Sequence, residues 1–302
     1  MYQDPGCRIK FKNGLSKRFT SKCGVKQGDV ISPILFNLYI NELVANLNET
    51  QTDPVIMGDI SINSLLYADD IILLSSTESG LQKSLDVLNK FCNSWKLEIN
   101  KEKSKVIVFN SNGKTHFNKF KINNVYIETV KSYCYLGITL KYNGNVDTST
   151  KLLMEKGRKA WFKIKKTIGL DNACSLLEKL FDTLVSPIIL YGSEVWGAYS
   201  NLKDSDPFEH LHIKFIKEIL GVHSKATNVA CLAELNRFPL KEKIILLSLK
   251  FWDHISNSTN TLVNKVYKNL PNDNRWVITV KNGYKNWDLV IWLIIQLILK
   301  TL

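Results

Sequence analysis

The stretch Leu65-Leu66-Tyr67-Ala68-Asp69-Asp70-Ile71-Ile72-Leu73-Leu74 sets two adjacent carboxylates between two apolar runs. Four apolar or aromatic residues on either side predict two short strands joined by a tight turn that carries Asp69 and Asp70. Ionised acids in an apolar surround are costly, because an unpaired buried carboxylate shifts its pKa and neutralises unless a cation stands beside it. A hard divalent metal such as Mg²⁺ is the natural counter-charge, since it takes carboxylate oxygens and shares its sites with substrate phosphates. The plain alternative is an Asp-Asp hairpin turn with solvated side chains, for Asp is a common turn residue. The hairpin alone leaves the two readings level.

The preceding segment shifts the balance. Gly24-Val25-Lys26-Gln27-Gly28-Asp29-Val30-Ile31-Ser32-Pro33 runs on as Ile34-Leu35-Phe36-Asn37-Leu38-Tyr39-Ile40-Asn41-Glu42-Leu43. Ser32 followed by Pro33 predicts an N-cap and first turn, and apolar residues then recur at helical spacing. A glycine-punctuated loop carrying a lysine and an amide thus feeds a largely buried helix. Such a loop lets backbone approach a ligand closely, although an ordinary loop before a core helix has the same pattern.

Loop and hairpin, in this order and about 40 residues apart, resemble the reverse transcriptases of non-LTR (LINE-type) retrotransposons. The string GVKQGDVISPILFNLYINEL is similar to that family's block B, and LLYADDIILLS to block C, its metal-binding hairpin. Leu97-Glu98-Ile99-Asn100-Lys101-Glu102-Lys103-Ser104-Lys105 resembles block D, and Tyr135-Leu136-Gly137 resembles block E, the primer grip. Farther on, Leu190-Tyr191-Gly192-Ser193-Glu194-Val195-Trp196-Gly197 and the run from Phe215 to Pro239 are similar to segments common after the polymerase core. The resemblance covers roughly residues 20–240.

The resemblance implies an α+β chain. Residues 1–145 would be part of the fingers and a partial polymerase palm, an antiparallel sheet with helices. Residues 146–302 would be a mostly α-helical thumb and C-terminal region. It implies RNA-directed DNA polymerase activity with Mg²⁺ (or Mn²⁺), Asp69 and Asp70 being the catalytic metal ligands and Asp69 the indispensable one. Gln27, Gly28 and Tyr67 would lie near the incoming nucleotide and template, and Leu136 and Gly137 near the primer end. Lys103 would be a general acid to the leaving pyrophosphate, or simply a solvent-exposed lysine like Lys101 and Lys105 beside it. The implied partners are an RNA template, a DNA primer and deoxynucleoside triphosphates, with an endonuclease expected on an upstream part.

Two-metal phosphoryl transfer draws carboxylates from more than one place, and in this family the third sits in block A, upstream of block B. Before Gly24 the only acid is Asp4, within the turn tripeptide Asp4-Pro5-Gly6. The expectation is therefore that Met1 falls inside the polymerase domain and that this chain alone does not polymerise. A non-catalytic nucleic-acid-binding remnant of a retrotransposon polymerase is the alternative reading. A metal enzyme of another kind fits poorly with blocks B to E in order.

Residue patterning fills in the rest. Thr77 can cap a helix whose Leu81, Leu85, Leu88, Cys92 and Trp95 share one face. Strands are expected at Val106 to Phe109, around an Asn123-Asn124 turn, and from Tyr133 to Leu140, before a Gly/Asn-rich loop at Lys141 to Asp147. Beyond that loop the pattern is almost wholly helical. From Lys151 to Lys166 there are seven basic residues (Lys151, Lys156, Arg158, Lys159, Lys163, Lys165, Lys166) and one acid, Glu155. Leu153, Ala160, Trp161, Ile164 and Ile168 can face a core, and Trp161 and Phe162 read as core residues. The basic face suits the phosphates of a primer–template duplex, where each neutralised phosphate releases counterion; a solvated Lys-rich face is the other reading.

Composition agrees with a polyanionic partner: 40 Lys plus Arg against 28 Asp plus Glu give a net charge of +12. The six scattered cysteines form no Cys-x-x-Cys pair, which argues against zinc and for reduced core thiols. The five histidines (His116, His210, His212, His223, His254) show no metal-ligand spacing. No basic-then-apolar leader opens the sequence, and the apolar run from Leu289 to Leu299, broken by Gln296, is shorter than the roughly 20 residues of a membrane span. The expectation is an intracellular chain without membrane contact, found in nucleus and cytoplasm.

Overall fold

The computed structural model describes residues 6–12, 14–20, 24–26, 28–109, 119–170, 174–199, 206–259 and 261–281. Four two-residue strands come first: β1 (Gly6–Cys7), β2 (Lys10–Phe11), β3 (Gly14–Leu15) and β4 (Phe19–Thr20). Helix α1 (Ser32–Glu49) follows, then β5 (Val55–Met57), β6 (Ile60–Ile62), β7 (Ser64–Tyr67), β8 (Asp70–Leu73) and helix α2 (Glu78–Trp95). Next come β9 (Lys105–Val106), β10 (Phe120–Ile122), β11 (Val125–Thr129), β12 (Ser132–Tyr135) and β13 (Ile138–Lys141). The remainder is helical: α3 (Asp147–Ile168), α4 (Cys174–Leu180), α5 (Ser186–Ile189), α6 (Ser193–Trp196), α7 (Pro207–Leu220), α8 (Asn228–Glu234), α9 (Leu240–Ser256) and α10 (Thr261–Lys268). This is an α+β chain. It divides into two compact units, one of residues 1–56, 61–100 and 120–126, the other of residues 57–60, 101–119 and 127–302.

In the first unit, α1 and α2 supply the core. Ile40, Leu43 and Leu47 meet Leu88, Phe91 and Cys92, and Leu66, Ile71 and Leu73 of the β7–β8 hairpin lie against them. Thr77 caps α2 as its position predicts, accepting the Gly80 N–H at 3.0 Å. The same hydroxyl donates to Asp53 Oδ2 at 2.5 Å, and Ser75 donates to the Thr52 carbonyl at 2.8 Å. These bonds tie the start of α2 to the chain after α1. At its other end, Lys96 takes the left-handed conformation (φ 54°) and Leu97 N–H reaches back to the Cys92 carbonyl at 2.8 Å. That closes the last turn as a Schellman motif.

Helix α1 departs from the expected burial. Only Ser32, Ile40, Leu43 and Leu47 are buried, while Ile34 and Leu38 are exposed. Its apolar residues are spread around the cylinder, so one packed face within this unit covers the C-terminal half of them.

In the second unit, strand β9 ends at Val106, shorter than the predicted run to Phe109, and pairs parallel with β11 through Glu128↔Lys105 and Thr129↔Val106. In the first unit, between β10 and β11, Asn123 and Asn124 are both left-handed (φ 49° and 59°), as a tight turn of two asparagines requires. Beyond β13 the helices gather around stacked aromatics. Phe181 and Phe215 lie 3.7 Å apart between ring centroids, and Trp161 meets Phe215 edge-on at 5.0 Å. Residues Phe181–Val185 form a π-helical turn just before Pro187, whose ring nitrogen cannot donate to the preceding helix. A smaller core joins Ala198 and Ile255 to Trp276, Val277 and Val280 from a helical segment at residues 275–281.

Cys92 and Cys231 are buried, as reduced core thiols should be, whereas Cys134 and Cys174 are exposed. Among the described residues no helix is long and apolar enough to cross a membrane. The apolar run from Leu289 to Leu299 lies outside the described residues, as do Asp4 and His116.

Candidate metal hairpin and basic helix

Strands β7 and β8 pair antiparallel from Ser64↔Leu73 to Tyr67↔Asp70, leaving Ala68 and Asp69 as a two-residue turn. The carboxylates therefore differ in station: Asp69 sits in the turn, and Asp70 opens β8. Side chains alternate across a strand, so with Leu66, Ile71 and Leu73 on the core side, Tyr67 and Asp70 leave on the opposite face. Ala68 carries φ 51°, a left-handed conformation that costs a residue with a Cβ about 1–2 kcal/mol. This strain lies immediately beside Asp69.

The expected burial of the two carboxylates is not found. Asp69, Asp70 and Tyr67 are all exposed, because a two-residue turn carries them past the end of the apolar residues that pack on α1 and α2. Neither carboxylate has a hydrogen-bond or ion-pair partner among the described residues, so their oxygens face solvent. Two adjacent, unengaged carboxylates are hard oxygen donors of the kind Mg²⁺ prefers, and Mg²⁺ fills its remaining positions with water and phosphate oxygens. Among the described residues no group of three His, Cys, Asp or Glu is arranged to hold a metal ion.

The loop before α1 is shaped by its polar atoms. Gly24 and Gly28 both take φ 84°, a conformation that glycine adopts without strain. Asp29 accepts the Ile31 N–H on its side chain at 3.1 Å and the Ser32 N–H on its carbonyl at 3.3 Å. Ser32 is the first helical residue and not the N-cap. Its hydroxyl donates to the Lys26 carbonyl at 2.6 Å, pinning the loop and leaving Ile31 at the cap position. Gln27 lies outside the described residues.

The other candidate residues belong to the second unit. Lys103 lies in the turn before β9, and its carbonyl accepts the Tyr133 hydroxyl at 2.9 Å. Leu136 and Gly137 connect β12 to β13 with φ of 46° and 82°, the pair of positive values that a type I′ hairpin needs. Tyr191 braces that turn: its hydroxyl donates to the Leu136 carbonyl at 2.9 Å, and a Cβ on Gly137 would stand 3.1 Å from its ring. The Leu190–Gly197 segment is legible as a motif, but only the fold joins its tyrosine to the turn 55 residues earlier.

Helix α3 buries Leu153, Met154, Gly157, Trp161 and Ile164. Lys151, Lys156, Arg158, Lys159, Lys163 and Lys166 are exposed, so the basic face reaches solvent. Lys165 is drawn into an ion pair with Glu218 at 2.9 Å, and the same carboxylate accepts the Trp161 indole N–H at 2.7 Å. Two side chains contradict their predicted core placement. Phe162 is 64 % exposed, and Ile168 ends the helix exposed. One residue past Trp161, Phe162 stands about 100° around the helix from the packed stripe.

Residues 1–140 match the family described as Reverse transcriptase (RNA-dependent DNA polymerase). The RNA-directed DNA polymerase from mobile element jockey of Drosophila melanogaster is 25 % identical over 253 residues, covering 80 % of this chain and 27 % of that protein. A Pol polyprotein from the type-1 retrotransposable element R2 of Popillia japonica is 32 % identical over 128 residues, covering 40 % of this chain and 21 % of the relative. The probable RNA-directed DNA polymerase from transposon X-element of Drosophila melanogaster is 21 % identical over 282 residues, 87 % of this chain and 29 % of its own length. The chain is thus similar, over residues 1–140 and along its length, to retrotransposon reverse transcriptases. It spans between a fifth and a third of the length of these relatives.

Among the histidines, His212 takes a structural part. His212 is buried on α7, its Nδ1 3.2 Å from Glu209 Oε1, and Arg237 Nε donates to its Nε2 at 3.2 Å. Arg237 also pairs with Asp182 at 2.6 Å, and Glu209 Oε2 accepts the Leu240 N–H at 2.7 Å. Sequence spacing singled out neither Glu209 nor Arg237, whose partners lie 25 or more residues from them except for the Glu209–His212 pair.

Proposed function

We propose that this chain carries the metal hairpin and nucleic-acid surface of an RNA-directed DNA polymerase, acting on an RNA template, a DNA primer and deoxynucleoside triphosphates. The observation that carries the reading is the pair of exposed, unengaged carboxylates on a strained two-residue turn, in a chain whose first 140 residues match the reverse transcriptases. Asp69 and Asp70 would hold a divalent cation, Mg²⁺ or Mn²⁺, which when bound supplies the positive charge that nucleotidyl transfer to a primer 3′ hydroxyl requires. Tyr67, on the same sheet face as Asp70, offers a ring on which substrate can rest. Gly28 and Gln27 would lie beside the nucleotide and template, and Lys103 would serve the leaving pyrophosphate. The Tyr191-braced turn at Leu136 and Gly137 suits a primer terminus because it holds its backbone in a fixed conformation. Helix α3 neutralises phosphates through Lys151, Lys156, Arg158, Lys159, Lys163 and Lys166. An endonuclease acting with this polymerase, and residence in nucleus and cytoplasm, belong to the same proposal.

A second reading, binding without catalysis, is favoured by one observation: among the described residues only two carboxylates gather at the hairpin, while six of the basic residues of α3 are exposed. Primer extension on an RNA template, with parallel RNA-binding titrations, separates the two. Incorporation that D69N reduces to background supports the polymerase. Salt-dependent RNA binding with no incorporation supports the binding protein. Incorporation unchanged in D69N contradicts the assignment of the hairpin.

A further inference from the structure

Helices α3 and α7 border an open cleft of about 350 Å³, lined by Arg158, Trp161, Phe162 and Lys165 from one and His210, Leu211 and Lys214 from the other. It sets an exposed aromatic ring beside basic side chains. Phe162 presents its ring to solvent, whereas the neighbouring Trp161 is 2 % exposed and part of the core. Arg158 and Phe162 are four residues apart and Lys165 three further, so all three rise from one helix face. His210 and Lys214 have the same spacing on α7. Of the cations, Lys165 is held by Glu218 at 2.9 Å and Lys214 stands 3.9 Å from the same carboxylate. One acid thus faces two lysines, and Arg158 has no partner among the described residues.

An apolar ring in a cation-lined cleft distinguishes among nucleic-acid forms. A duplex presents sugar and phosphate, with its bases stacked inside, so it would leave the Phe162 ring unused. An unpaired nucleotide presents a flat base face together with a phosphate, and every base has such a face. The cleft is of a size that takes a small ligand unit. We propose that this cleft binds an unpaired nucleotide of a single strand, its base on Phe162 and its phosphate between Arg158 and Lys214. The inference rests on the reading of α3 as a nucleic-acid surface and adds strand form and a specific seat to it.

The test is fluorescence anisotropy of the full chain with a short unstructured RNA and with an RNA duplex of the same length, across a salt series. F162A is expected to weaken single-strand binding about 10- to 100-fold and leave duplex binding within about twofold. F162Y, which keeps the ring, is expected to retain single-strand affinity. R158Q is expected to lower the single-strand salt slope by about one phosphate contact, roughly 0.7. The ring is exposed, so its removal is expected to leave the core intact, and the near-ultraviolet circular dichroism of the chain checks this. Equal loss on single strand and duplex, or no loss in F162A, overturns the proposal while leaving α3 a nucleic-acid surface. Failure of the unsubstituted chain to bind either RNA overturns the nucleic-acid reading and this inference with it.

Discussion

Tyr67 and Asp70 face each other across the last rung of the β7–β8 hairpin, and both leave the sheet on the face turned away from the core. The turn beyond them is only Ala68 and Asp69, so the two carboxylates are held within one rung of a braced sheet end. Placing the two carboxylates at the end of strands anchored by Leu66, Ile71 and Leu73 restricts their motion more than a long loop would. The cost is local and sits in the backbone of Ala68.

That cost is measurable. With φ at 51°, Ala68 forgoes about 1–2 kcal/mol that glycine would not, while glycine forfeits up to about 1 kcal/mol of chain entropy. A68G is therefore expected to leave stability unchanged or raise it by up to about 1 kcal/mol in urea denaturation. A loss of more than about 1 kcal/mol would contradict the strained turn.

Gly157 is the close-approach point of α3. A Cβ there would overlap Ile189 Cγ2, on a buried β-branched side chain. Alanine gains up to about 1 kcal/mol of helix propensity, but the overlap costs about 1–3 kcal/mol. G157A should be destabilising on balance, and combining it with I189A should recover part of the overlap cost relative to additivity in a double-mutant cycle. Additive effects would show that α3 and α5 do not meet there.

The Glu209 carboxylate is buried and accepts from Leu240 N–H and His212 Nδ1. Since Arg237 donates to Nε2, the histidine proton sits on Nδ1. E209A leaves two buried donors unmet and is expected to cost at least about 2 kcal/mol. E209Q, which can still accept from Leu240 through its amide oxygen, should cost less; equal losses in the two variants would refute the hydrogen-bond account.

Thiol accessibility gives an independent readout of both cores. Cys134 and Cys174 are expected to alkylate in the folded chain, and Cys92 and Cys231 only after unfolding, as peptide mass mapping will show. Burial also pushes the Cys92 thiol up. The folded chain then keeps this proton at a pH where the unfolded thiol loses it, so the Cys92 contribution to stability falls as pH rises through the thiol range. C92A should flatten that alkaline slope. Rapid alkylation of Cys92 in the folded chain would contradict its burial.

Local signals carried much of this architecture. Thr77 announces its helix because the cap and the apolar spacing act within a few residues, and Asn123-Asn124 announces its turn because few other residues adopt two positive φ values. Other readings failed where packing decides. Ser32 has the chemistry of a cap but spends its hydroxyl on the Lys26 carbonyl. Phe162 resembles a core aromatic until its rotation from the α3 stripe is seen. Asp69 and Asp70 are flanked by apolar residues along the chain yet exposed in space, since the turn ends the buried surface. The Tyr191 brace and the Arg237 network depend on contacts tens of residues apart, for which no local pattern exists.

The claim that Asp69 and Asp70 form a divalent-metal site is tested most directly by Mn²⁺ titration of the isotopically labelled chain. Paramagnetic broadening should begin at the amides of residues 67–71 and disappear there in the D69N/D70N variant, with the remaining spectrum unchanged. Broadening that begins elsewhere, or that persists at the hairpin when both carboxylates are gone, would contradict the account.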